Sequence, residues 1–343
     1  MFYVNVYEII NLKINYTMKK LPGILLIALA FCLVSPVLYS QEDVVKMLSG
    51  NLNDAEKLSK EYLEPFGKSL GTSLNNGWYN SAKPHKLFGF DITFTAAITV
   101  PPSGDRKFDV SKLNLEYWEL QDPNDNMAPT VTGEKTGGPR LVDQATGTSA
   151  SIDLPQGANL RFIPAPIVQV GVGLPFHTEI MGRFFPKVDI SGVGNFSLWG
   201  VGIKNEFKEF IPVFKRLPID VSILLGYTKL KSSFDIKSNQ TLDFEATGFT
   251  GKLLISKSIP VLTVYAGVGY NKSNTDVALK GTYEATIAGV NQSIKDPLSL
   301  DFSNSGVNAN IGLRIKLALI AFHFDYALGK YSILNAGVGI NFR

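Results

Sequence analysis

Cysteine is nearly missing: 343 residues contain one, Cys32, inside an apolar N-terminal run. Once that run is removed no thiol remains, which excludes disulfides and cysteine-ligated metals from the mature chain. Histidine is almost as scarce, and His85, His177 and His323 stand far apart, at no metal-ligand spacing. Charge is thin as well. Asp, Glu, Lys and Arg make up 18% of the chain and the formal net charge is +3, so no basic field of nucleic-acid size exists. No phosphate-cradling loop and no pair of catalytic carboxylates stands out. Hydrophobic residues reach 45% but are dispersed.

What is present begins with an export signal. Met18-Lys19-Lys20 supplies the positive region, Leu21 to Val34 the apolar region, and Ser40 a small residue before cleavage ahead of Gln41. Residues 1–17 fit no part of a signal, so Met18 reads as the true start and residues 18–40 as the signal peptide. The apolar stretch through Tyr39 approaches membrane-spanning length, which makes a retained anchor the alternative. Pro36 and the polar exit favour cleavage. Phe31 ahead of Cys32 is not the small residue that lipid attachment requires.

Residues 41–86 read as a helical hatch or periplasmic segment. Val45, Leu48, Leu52, Ala55, Leu58, Tyr62, Phe66 and Leu70 recur at three- and four-residue steps, and Pro65 with Gly67 is expected to divide the stretch into two helices. A turn-rich stretch follows, Asn75 to Phe90, holding Trp78 and Tyr79.

From Leu87 onward the period is two. Ile92, Phe94, Ala96, Ile98 and Val100 alternate with polar or small residues, as do Val307 to Leu317 and Leu262 to Tyr270. Ten strands are expected, near 87–100, 159–174, 176–190, 194–205, 219–236, 241–257, 261–278, 305–317, 318–329 and 331–342. Segments 108–120, 140–154 and 280–304 are candidates for more, while 101–158 and 271–304 read as long polar loops and 206–218 as a short interfacial helix. Many strands exceed the roughly 9–11 residues that cross a tilted bilayer, against about 5–6 in soluble sheets. Their charges, Asp91, Arg314, Lys316 and Asp325, fall on the non-apolar face. A lysine or arginine on the lipid face would cost roughly 2–4 kcal/mol at mid-bilayer. The fold class expected is therefore all-β: an antiparallel transmembrane outer-membrane β-barrel of about ten to fourteen strands over residues 87–343, with an N-terminal helical plug or periplasmic segment.

Chemistry is sparse. Gly67-Lys68-Ser69-Leu70-Gly71 matches G-x-S-x-G, but lies in a helical pattern without the strand a nucleophile elbow needs. His323 and Asp325 share one strand face and can hydrogen-bond in the lumen, the one handle for a lipid-modifying enzyme. Lys204, Arg161, Lys252, Arg314 and Lys316 suggest a mildly basic lining. Trp199, Tyr227, Tyr270, Phe322 and Tyr326 read as interfacial anchors and Tyr265 as a lumen residue.

The strings "EPFGKSLGTSLNNGWYNSAKPHKLFGFDITFT", "PAPIVQVGVGLPFHTEIMGRFFP" and "SLWGVGIKNEF…LPIDVSILLGYTKL" resemble a family of uncharacterised Bacteroidota-type outer-membrane barrels. More distantly the chain is similar to FadL-like long-chain fatty-acid transporters, in which a helical hatch precedes a "YNPAG"-like segment. Trp78 to Leu87, "WYNSAKPHKL", stands in that place, with Ser81 for Pro and Lys83 for Gly. That resemblance implies passive uptake of a small hydrophobic or amphipathic solute, and the residues themselves offer no motif for a cofactor or for catalysis. The alternatives are a non-transporting barrel that anchors or assembles surface proteins, and a lipid-modifying barrel enzyme. Plug and lumen candidates are Phe66, Trp78, Tyr79, His85, Tyr265, Arg314, His323 and Asp325. The expected partners are outer-membrane lipid of a Gram-negative cell and the barrel-assembly machinery. The latter would read the last strand, where Leu334, Ala336, Val338, Ile340 and Phe342 share one face.

Overall fold

The computed structural model describes residues 47–48, 51–144, 150–190, 194–208, 211, 217–237, 239–287 and 290–342. The proposed signal peptide with Cys32 and most of the 206–218 helix reading lie outside them. Among the described residues one α-helix, α1 (Leu52–Ser73), precedes all the strands. Ten strands form the wall: β1 (Phe90–Val100), β7 (Ile163–Leu174), β8 (Thr178–Ile190), β9 (Gly194–Glu206), β10 (Asp220–Lys237), β11 (Gln240–Ser258), β12 (Leu262–Ile287), β14 (Leu298–Leu317), β15 (Ile320–Leu328) and β16 (Ser332–Phe342). Neighbours in this order are antiparallel, β11 pairs with β12, and β16 returns to β1 with Phe90 opposite Phe342. The sheet closes into a barrel, the condition for spanning hydrocarbon, and its ring is interrupted only by one gap in the pairing of β7 with β8 among the described residues.

All ten expected strands are present, and two of the loop readings are corrected. Residues 101–162 add no wall strands. They fold into two small sheets, β2 (Lys107–Asp109) with β4 (Met127–Pro129), and β3 (Trp118–Leu120) with β5 (Arg140–Asp143) and β6 (Ser151–Asp153). Residues 271–304 are not a loop but a continuation of the wall, with β13 (Val290–Lys295) hairpinned onto the end of β12.

The second correction has a physical cause. On the lower part of β12 the exposed residues are Val264, Val268 and Tyr270, and the inward ones Thr263, Tyr265 and Asn271. Above Asn271 the faces exchange character: Lys272, Asn274 and Asp276 are exposed while Val277 and Leu279 are buried inside. β14 does the same, with Ile311, Leu313 and Ile315 outside below and Leu298, Leu300 and Phe302 inside above. Strand parity is kept while the solvent changes from lipid to water, so the sequence pattern inverts.

The inward apolar residues of the upper wall pack against α1 and the 101–162 insertion in one core that includes Leu58, Tyr62, Phe66, Trp118, Leu141, Phe244 and Phe302. Asp54, fully buried, accepts hydrogen bonds from the backbone N–H of Glu116, Tyr117 and Trp118 at 2.7, 2.8 and 3.1 Å. Tyr331, in the β15–β16 turn, donates to Asp105 Oδ2 at 2.7 Å, and burial beside that carboxylate raises its phenol pKa. This end is called the loop end. The other is the closing end, where β1 begins and β16 finishes.

The sequence-based break at Pro65 and Gly67 is not observed: α1 is continuous. Pro65 leaves the Glu61 carbonyl without its helical donor, and the next carbonyl, that of Tyr62, accepts from Val131 N–H at 2.9 Å, which ties this turn of the helix to the insertion. Gly67 serves packing rather than termination, because a Cβ there would stand 2.5 Å from the Phe302 ring.

One part of the wall is unzipped. The β7–β8 ladder runs from Leu174↔Thr178 to Gln169↔Arg183 and stops. Among the described residues, Ile163–Val168 has no partner on β8, although β7 stays paired with β1 along that length. Pro164 and Pro166 lie in this stretch and lack the N–H a ladder needs, and β8 carries a bulge between Phe185 and Val188. Six residues at about 3.3 Å each make a slit roughly 20 Å long.

Candidate functional site

α1 begins at the loop end and the chain then descends inside the barrel to the closing end, where β1 starts. Contacts along the way record the descent. Phe66 packs edge-on to Phe244 at 5.6 Å, Thr275 donates to Gly67 O at 2.8 Å, and Asn75 donates to Lys272 O at 3.2 Å. Lower down, Ser222 donates to Ala82 O at 2.5 Å and Ala82 N–H to Ser256 Oγ at 3.0 Å. Lys204 reaches Ser81 O at 3.3 Å.

Arg183 on β8 holds the centre of this plug. It is 2% exposed. Its guanidinium donates to Leu74 O at 2.8 Å, Asn76 O at 2.6 Å, Thr228 Oγ1 at 3.1 Å and Gln169 Oε1 at 3.1 Å. It also stacks 3.5 Å from the Trp78 ring centroid. Trp78 fits because the facing wall residues are glycines: a Cβ on Gly202 or Gly226 would stand 2.7 or 2.6 Å from its ring. The sequence reading of a basic lining omitted Arg183. Its signal was parity, since Glu179, Met181 and Arg183 alternate with the exposed Ile180, Gly182 and Phe184.

The eight candidates from the sequence all lie on the plug or the inner wall, in three groups. Phe66 belongs to the upper apolar core. Trp78, Tyr79 and Tyr265 share a lower cluster with Met181, Leu224 and Leu254. Tyr79 donates to Asn310 Oδ1 at 2.5 Å, and Tyr265 to Asp325 Oδ2 at 3.0 Å. Asn335 completes that shell, donating to Asp325 Oδ1 at 2.8 Å. His85 and Arg314 lie nearer the closing end. His85 Nε2 is 2.9 Å from Asp91 Oδ1, and an Arg314 amino group donates to Asn341 Oδ1 at 2.7 Å.

His323 and Asp325 do not bond to each other, contrary to the sequence expectation. His323 Nε2 lies 3.3 Å from Thr95 Oγ1 and its Nδ1 is buried without a partner. Residues two apart on a strand stand side by side on one face, and each here finds its partners on nearby strands of the wall. Ser69 of the G-x-S-x-G match is buried within α1, away from any strand-to-helix turn. Of the basic lining, Lys204 and Lys252 are buried inside, whereas Arg161 is exposed on the connection into β7.

Among the described residues one cluster has metal-ligand proximity, His85, Asp91 and Glu179. The Lys204 ammonium already sits 3.1 Å from Glu179, occupying the carboxylate a cation would need.

A model of one protein family spans residues 18–342. The chain belongs to DUF6588, a family of unknown function. No curated protein matches it in sequence. Among solved structures it is similar to Ail, the attachment invasion locus protein of Yersinia pestis, at 8% identity and a TM-score of 0.27, over 75% of this chain and 99% of that one. It is also similar to the translocator domain of the autotransporter NalP from Neisseria meningitidis, at 10% identity and a TM-score of 0.30, over 76% and 90%. A deletion mutant of the monoaromatic hydrocarbon channel TodX is similar at 8% identity and a TM-score of 0.24, over 75% and 68%. The functional reading of this DUF6588 chain therefore rests on its own wall, plug and cavities.

Proposed function

We propose that this protein sits in the outer membrane of a Gram-negative cell, exported by a cleaved signal, with its loop end outward. There it passes small apolar or amphipathic solutes sideways into the bilayer. The observation that carries this reading is the slit where the β7–β8 ladder stops. Unpaired backbone at bilayer depth costs several kcal/mol per group unless something else uses it. The slit opens just above Gln169 and Arg183, beside Phe184 and Trp199, which are exposed on the outer face. Behind it stand Phe185 and Phe196, packed edge-on at 5.3 Å and only partly buried, against the upper apolar core. A solute following this route leaves above Arg183 and never crosses the sealed lower lumen. No energy source is required, because partition into the membrane is downhill.

The test uses the full chain in vesicles with a lipopolysaccharide outer leaflet and an apolar fluorescent probe, 1-N-phenylnaphthylamine. Faster influx than in protein-free vesicles is expected. A Pro164→Val/Pro166→Val double variant, whose restored N–H groups let the ladder zip further, should slow it severalfold. Influx equal to that of empty vesicles for this probe and for small polar solutes would overturn transport.

The density of wall-to-plug hydrogen bonds favours a second reading, a permanently closed barrel that anchors or assembles surface proteins through its insertion. The same experiment separates them, since a closed anchor gives no influx. In either case the apolar band meets outer-membrane lipid. Phe342 at the end of β16 is then the side chain the assembly machinery would read.

A further inference from the structure

The plug leaves a cavity of about 250 Å³ at the closing end, between the descending segment and β1, β8, β9 and β14. Its charges do not balance. Of its two carboxylates, Glu179 pairs with Lys204 at 3.1 Å, and Asp91 lies 2.9 Å from His85 Nε2. No further carboxylate lines the cavity, but four more cations do: Lys83 and Lys86 from the plug, and Arg314 and Lys316 from β14. None of these four is within 4 Å of a carboxylate oxygen among the described residues, so two carboxylates at longer range face four cations beyond Lys204.

Arg314 is the most telling. One amino group donates to Asn341 Oδ1, while its Nε–H is buried with no acceptor. An orphaned donor on a guanidinium is costly in a low-dielectric site, and the planar guanidinium offers paired N–H groups that match two oxygens of an oxyanion. Lys316 lies two residues along the same inner face, roughly 7 Å away. Lys83 and Lys86 are exposed at the mouth, where they can draw an anion inward. A metal does not fit this arrangement, because the cavity is already rich in cations.

We propose that this cavity binds a small oxyanion, a phosphate or a carboxylate, gripped by Arg314 and Lys316. The site is separate from the slit, which opens on the loop-end side of Gln169 and Arg183, so it stands whether or not solutes cross the wall. Calorimetry on the full chain in phospholipid-free detergent tests it, with inorganic phosphate, acetate and phosphatidylglycerol titrated separately. Saturable binding of phosphate or acetate assigns a soluble anion, and saturation by phosphatidylglycerol alone assigns a lipid headgroup. Arg314→Gln is expected to weaken binding at least tenfold, and Lys316→Gln severalfold. Lys187→Gln, at the far end of β8, should leave it unchanged. Lys316→Gln carries the test if Arg314→Gln fails to form a heat-modifiable barrel. Absence of saturation by all three probes, or equal affinity in both cavity variants, would overturn the proposal.

Discussion

Arg183 shows how one side chain can hold a plug. A buried guanidinium is tolerated only when its donors are met, and here two main-chain carbonyls of the plug, a wall hydroxyl and a wall amide meet them. Removing it leaves the carbonyls of Leu74 and Asn76 without these donors and Trp78 without its stacking partner. Arg183→Met keeps most of the volume and loses the bonds. We expect it to destabilise the barrel by about 3–5 kcal/mol, the usual cost of breaking a buried charged network. Urea unfolding in vesicles, with Trp78 emission as the probe, measures this. An unshifted midpoint would show that the plug does not depend on that latch. The sequence displayed the parity of Arg183, but arginine within "MGRFF" reads alike whether it lines water or grips a backbone.

Among the elements, α1 is the one whose reading changed most. Its apolar stripe was legible, but the proline and glycine within it pointed to a break. Whether a helix survives an internal proline depends on what packs around that turn, and Val131, whose N–H meets the Tyr62 carbonyl there, is 66 residues further on than Pro65 in sequence numbering. The helix start also depends on distant chain. Asp54 serves the insertion, collecting three N–H groups at residues 116–118. Asp54→Ala should therefore release the insertion before it affects the wall. Limited proteolysis is expected to cut within residues 101–162 at least several-fold faster while the barrel band persists on gels. Equal protection of wild type and variant would refute that division of labour. On β7 the two prolines were visible in "PAPIVQV", but that they unzip one side only follows from the register, not from composition.

For the whole molecule, the strands were readable because lipid imposes a strict alternation that few other environments enforce over ten residues. The same rule misled where the wall leaves the membrane. Above Asn271 on β12 the apolar face turns inward to meet α1, and a polar outward face in the sequence looks like loop. The cavities were illegible for a different reason: they are made by pairing residues such as Lys86 and Arg314 that are separated by most of the chain.

The descent of the chain through the lumen into β1 also fixes an order of events. β1 follows the plug without a break and pairs with the last strand, so the first and last wall segments meet only after the whole chain is available. Wall closure and plug seating are thus one kinetic step rather than two, since a ring sealed without its plug would have to admit a 22-residue helix afterwards. Folding into vesicles, followed by gel mobility and by Trp78 burial in a variant lacking the other tryptophans, should give one shared time course. A gel-compact species with Trp78 still exposed would mean that the barrel can close empty.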